Sequence, residues 1–158
     1  MTFWDLEERV EDALVAYLKS VLPGEIKVYA AFSADAVQYP CCVVAAETSG
    51  PIAEDAAFDI DRALEVSVML GVEAVPEKSG AVTTKSARER NRTARSAVLS
   101  ALARSDLLDL VKGCQGPNMV LSMVHFASTE RSVDADKRLL VTTSTLEVVA
   151  RPIETGEQ

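Results

Sequence analysis

Residues 58–70 read "FDIDRALEVSVML". In an extended chain Phe58, Ile60, Leu64, Val66, Val68 and Leu70 share one face, and Asp59, Asp61, Glu65 and Ser67 share the other. The stretch is therefore predicted to be a strand with one buried side and one wet side. Such a strand belongs to an antiparallel sheet covered on a single face, because strands of all-parallel sheets are buried on both faces and read as unbroken apolar runs. Arg62 interrupts the apolar row, which points to a bulge or a sheet edge there.

Material to cover the apolar face lies on both sides in sequence. In residues 3–22, Leu6, Val10, Leu14, Tyr17, Leu18 and Val21 recur at spacings of three and four, the stripe of an amphipathic helix. Asp5, Glu7 and Glu8 stand in its first turn, where carboxylates favour the helix dipole, and Pro23-Gly24 stops it. A second helix is predicted over 86–111. Ser86 and Glu89 have capping-box spacing, Ala94, Val98, Ala101 and Leu102 form the apolar stripe, Ser105-Asp106 breaks it, and Gly113 suits a left-handed C-cap. Further strands are predicted at 26–32, at 41–46, at 119–126 and at 138–150. Pro40 can start the second of these but could not sit in its middle. The intervening "ASTERSVDADK", residues 127–137, is too long and too charged for a tight hairpin and reads as a loop of the kind that carries function.

The predicted order is α-β-β-β-α-β-β, and the fold class is α+β: a mainly antiparallel sheet with two amphipathic helices packed on its apolar side. A chain of 158 residues fits one domain, drawn here over 1–150, with 151–158 as a flexible C-terminal tail.

Apolar residues make up 48% and charged residues 25%, ordinary values for a soluble globular protein. The net charge of −8 opposes non-specific nucleic-acid binding, which is driven by phosphate neutralisation. The acidic opening "MTFWDLEERVED" is not a secretory signal, and no apolar run approaches the roughly 20 residues of a membrane helix. The expectation is a soluble chain, cytoplasmic at synthesis, without a membrane partner.

Few residues carry the marks of chemistry. The chain has three cysteines, two of them adjacent in "YPCCVVAAE", residues 39–47. Cys41 and Cys42 in one strand point to opposite faces and cannot share a metal without distorting it. A disulfide between neighbours would be strained. Both read as core packing, and Cys114 as an exposed turn residue with nothing to activate it. His125 is the single histidine, and Ser122, three residues away in the same strand, faces the other way, so no nucleophile–base pair is predicted. Asp59 and Asp61 share a strand face and carry the oxygen ligands Mg²⁺ prefers, but a solvated strand face is the plainer reading. No catalytic residue, metal or cofactor is predicted.

The strongest charge feature is "KSARERNRTAR", residues 85–95. Lys85, Arg88, Arg92 and Arg95 fall three or four apart, on one helix face. A solvated face paired with nearby acids is the plain reading. The sharper reading is a subunit interface, where arginine is enriched. Arg88, Arg92 and Arg95 are then one side of a contact and Asp59 and Asp61 the other. The stripe is short and lacks the interleaved aromatics of a single-strand nucleic-acid groove.

Several textures resemble the tail-terminator family of long-tailed bacteriophages. They are the opening helix "DLEERVEDALVAYLKSVLPG", the strands "IKVYAAF" and "YPCCVVAAE", the later helix "ARERNRTARSAVLSALARSDLLDLV" and the closing "RLLVTTSTLEVVARP". The resemblance spans most of residues 3–150 and is one of pattern and order. It implies a structural virion protein without cofactor: a homo-oligomer, expected to be a hexameric ring, that caps the tail tube and meets head and neck proteins. It places the protein in the virion tail or neck, and in the host cytoplasm during assembly. DNA is implied only as cargo passing through the lumen, to which an acidic ring would not stick. A head–tail connector is the alternative within this class. An enzyme of unknown chemistry and a DNA-binding regulator are weaker readings, the second opposed by the acidic charge.

Overall fold

A computed structural model of the chain describes residues 3–31, 36–48, 61–73, 81–116 and 119–153. The elements are α1 (Phe3–Val21), β1 (Lys27–Ala30), β2 (Cys41–Thr48), β3 (Arg62–Glu73), α2 (Ala81–Leu102), α3 (Leu107–Lys112), β4 (Met119–Asp134) and β5 (Leu139–Pro152). The five strands form one sheet in the order β1-β2-β3-β5-β4. The β1–β2 pair is parallel, and β2–β3, β3–β5 and β4–β5 are antiparallel. The expected α+β class and order of elements are those observed, with the second helical region split into α2 and α3 at the break around Ser105-Asp106.

The core lies on one face of the sheet. Cys42, Val44 and Ala46 of β2, Leu64, Val66, Val68 and Leu70 of β3, and Leu146, Val148 and Ala150 of β5 pack in one cluster with α1, α2 and α3. From α1 come Leu6, Val10, Leu14 and Leu18; from α2, Ala94, Val98 and Leu102; from α3, Leu107 and Val111. Burying each large aliphatic side chain of this set contributes about 1.5–3 kcal/mol. Tyr17 adds a directional tie, its hydroxyl donating to the Ala101 carbonyl at 2.7 Å and joining α1 to α2.

Glu7 departs from the expected role of a first-turn acid, and Glu11, one turn on, joins it. β1 pairs with β2 only as far as Val44, so N–H groups farther along that edge need other acceptors. Glu11 Oε2 accepts the Ala46 N–H at 2.9 Å, and Glu7 Oε2 accepts the Thr48 N–H at 2.6 Å. Two carboxylates one helical turn apart thus extend the sheet edge where the backbone of β1 ends. Glu11 is 1% exposed, a burial that a carboxylate sustains only when bonded.

Several expectations need correction. The charged stretch 127–137 is mostly strand. β4 continues to Asp134, and only residues 135–138 turn before β5. Asp134 Oδ1 accepts the Lys137 N–H at 3.1 Å, and Arg138 takes a left-handed conformation, φ 55°, so the hairpin closes tightly. Arg62 does not mark a bulge: it pairs with Ala150 in unbroken register and is 8% exposed, while the irregularities lie in β4 between Leu121 and Met123 and between Phe126 and Ser128. α2 starts at Ala81, so Ser86 is inside the helix and does not cap it. Gly113 is right-handed, φ −65°, its N–H bonded to the Asp109 carbonyl. Cys114 is partly buried against the core instead of exposed. Arg151 and Pro152 belong to β5 and pair with Val120 and Met119, so the strand runs two residues past the expected domain boundary. Phe32, Phe58, Asp59 and Ile60 lie outside the described residues.

Candidate functional site

No described helix packs on the second face of the sheet. Register places Ala63 of β3, Val149 of β5 and Met123 of β4 side by side there. The next row is Glu47, Glu65, Glu147 and His125, on β2, β3, β5 and β4 in that order. All four are exposed. Neighbouring strands lie about 5 Å apart, so three carboxylates stand in line over about 10 Å. Like charges directly opposite in a sheet destabilise it. Farther along, Val43 pairs with Met69, which is 46% exposed. At the far end Tyr39 folds over Gly71, where a Cβ would stand 3.1 Å from the ring, and the Gly71 neighbour Cys41 is buried.

The two cysteines occupy opposite faces, as their adjacency predicts. Both are free, and burial pushes both thiols up, Cys42 to about 12. A thiol held protonated in this way is neither a nucleophile nor a ready metal ligand. Ser122 sits at the first β4 irregularity, and His125 stands opposite Glu147 in the glutamate row.

The proposed interface residues are spread over the molecule. Arg92 is exposed on α2, and Arg95 is half-buried with a Nε that has no hydrogen-bond partner among the described residues. Arg88 is on α2, but its side chain lies outside the description. Asp61 precedes β3, is exposed, and faces Arg151 Nε of its own chain at 3.9 Å. Asp59 lies outside the described residues. Asn91, next to Arg92 and one turn before Arg95, lines a cleft of about 500 Å³ with Arg131, Leu140 and Thr142. Leu140 and Thr142 pair with Val72 and Leu70, so Asp61 is about 30 Å away along β3. One chain does not bring Asp61 and these arginines together. A second cleft, of about 480 Å³, lies between Pro23, Ile26 and Pro40 on one side and Arg90 and Ala94 on the other.

A scan against protein-family models finds no match, and a search of curated proteins finds none either. No group of three or more His, Cys, Asp or Glu side chains suited to a metal occurs among the described residues. No described helix is long and apolar enough to cross a membrane.

The glutamate row is the feature that residue-by-residue reading missed. Glu65 was legible as a wet-face residue. Glu47 ends an apolar run and Glu147 interrupts one, but their alignment with Glu65 is set by pairing between strands distant in sequence.

Proposed function

We propose that this chain is a structural virion protein of a long-tailed bacteriophage, a tail terminator whose copies close into a hexameric ring at the end of the tail tube and join it to the head. What supports the reading is the arrangement of the fold: an α-β-β-β-α-β-β chain with its described helices on one sheet face and none of them on the other. A ring subunit needs one patch that meets a different patch on its neighbour. The arginines of α2, on the helix side, and the acidic open face are two such patches. The role is one of assembly, without cofactor or reaction. Native mass measurement with electron microscopy of the purified protein tests it: closed six-membered rings that bind the ends of tail tubes are expected. A monomer at every concentration would overturn the reading, and rings that bind the head vertex but not tube ends would make the protein a head–tail connector.

A further inference from the structure

We infer that the open sheet face is the docking surface for helix α2 of a second copy, the glutamates 47, 65 and 147 receiving the arginines 88, 92 and 95; this rests on the ring reading and names the surfaces that would build it. Three observations carry it.

First, the two rows cannot meet within one chain. The apolar stripe of α2, Ala94, Val98 and Leu102, is packed against the covered face, while Glu47, Glu65 and Glu147 stand on the opposite face of the same sheet. Any pairing between them joins different copies. Each copy then offers one helix and one sheet face, a head-to-tail contact that closes a ring when the rotation between copies allows it.

Second, among the described residues Glu47, Glu65, Glu147, Arg92 and Arg95 form no ion pair. Three carboxylates in register repel one another. Cations three and four apart on a helix do the same. Of the stripe, Arg92 is exposed, and Arg95 keeps a buried Nε without a hydrogen-bond partner among the described residues. Asp61, the acid first considered for this contact, already faces Arg151 of its own chain.

Third, the spacings are commensurate. At about 1.5 Å per residue, positions 88, 92 and 95 fall at about 0, 6 and 10 Å along the axis of α2. The three glutamates, one per strand, fall at about 0, 5 and 10 Å across the sheet. A helix laid across the strands along the row thus puts one arginine position over each carboxylate. Beside the row, Ala63, Val149 and the 38%-exposed Met123 supply apolar surface for the helix to cover.

Two reversed chains test the proposal. One carries Glu47→Lys, Glu65→Lys and Glu147→Lys, which keeps the row's self-repulsion and so leaves the balance of charge within the sheet as it was. The other carries Arg88→Glu and Arg92→Glu. Folding is checked by circular dichroism, and mass by size exclusion with light scattering at low salt. Each reversed chain alone is expected to assemble at least ten-fold more weakly than the parent. A one-to-one mixture is expected to regain the parental mass, because the reversed face then meets the reversed helix and the native face the native helix. Parental assembly by either reversed chain alone, or two folded chains that stay apart when mixed, overturns the docking proposal, and a ring formed by the parent would still stand. A parent that forms an open chain or a dimer, lost on reversal and regained on mixing, supports the docking and overturns the six-membered ring. A parent that is monomeric throughout overturns both. Should a reversed chain not fold, Glu65→Gln and Arg92→Gln replace it: each is expected to weaken assembly, with a double-mutant effect smaller than the sum of the two. Full additivity overturns the contact.

Discussion

The two faces of one sheet are built from the same strands and could hardly differ more. On the covered face, Val66, Val68, Leu70 and Leu146 are fully buried under three helices. On the open face, one residue over, the same strands present Glu65, Ser67, Met69 and Glu147. The covered face is explained by folding alone, since its apolar area drives the chain together. The open face is not. A sheet needs wet residues there, but it has no need of three carboxylates in register, which cost stability, or of exposed methionines beside them. Features that folding does not require are where an assembly function is best sought.

The largest effects should follow the covered face. Leu146→Ala is expected to lower unfolding free energy by about 2–5 kcal/mol, as cavity-forming changes do, while Met69→Ala on the open face should cost less than about 1 kcal/mol in the unassembled chain. Urea unfolding of both variants measures the contrast, and equal losses would break it. Next comes the acid that crosses the pattern. Glu11→Ala removes the acceptor of the Ala46 N–H and should cost about 1–3 kcal/mol, whereas Glu11→Gln keeps an acceptor and should cost less.

Alkaline pH probes the same face through Cys42. Its thiol is raised in the folded state to about 12, against 9.0 unfolded. The unfolded chain therefore releases this proton first, and stability falls as pH rises above 9, by about 1.4 kcal/mol for each pH unit once the unfolded thiol is ionised. Below pH 9 the group contributes no slope. Cys41 and Tyr17, also raised by burial, act in the same direction, so the Cys42→Ala variant should lose part of the dependence and not all of it. The smallest effect belongs to the open face. Glu65→Gln breaks the carboxylate row at its centre and should stabilise the dissociated chain by a few tenths of a kcal/mol while weakening its assembly. A variant that loses both stability and assembly would show that the row serves the fold.

Legibility in the sequence divided along the same line. The alternation in 58–70, the stripe of α1 and the break at Ser105-Asp106 were readable because burial on one side leaves a period in the residues. β4 past Ala127 was not. Residues 128–133 are exposed, so no apolar alternation marks them, and pairing with β5 alone keeps them extended. The two irregularities in β4 also shift its phase. The roles of Glu7 and Glu11 were hidden because they depend on where β1 stops pairing with β2. At the candidate interface the basic stripe was legible as a helical spacing. The row of Glu47, Glu65 and Glu147 was not, because a sequence shows which residues share a strand face but not which stand abreast on neighbouring strands.

Oxidative footprinting at two protein concentrations tests most directly whether the open face is covered by a neighbour. Met123 stands one row from the glutamates, beside Val149, and Met69 two rows away on the other side, about 13 Å from Glu65 along β3. A helix about 10 Å wide lying on the glutamate row should shield the first far more than the second. Assembled at high concentration, the protein should therefore show Met123 oxidised several-fold more slowly than in the diluted chain, with Met69 changed much less. Met123 oxidised at the same rate in both states would contradict the account.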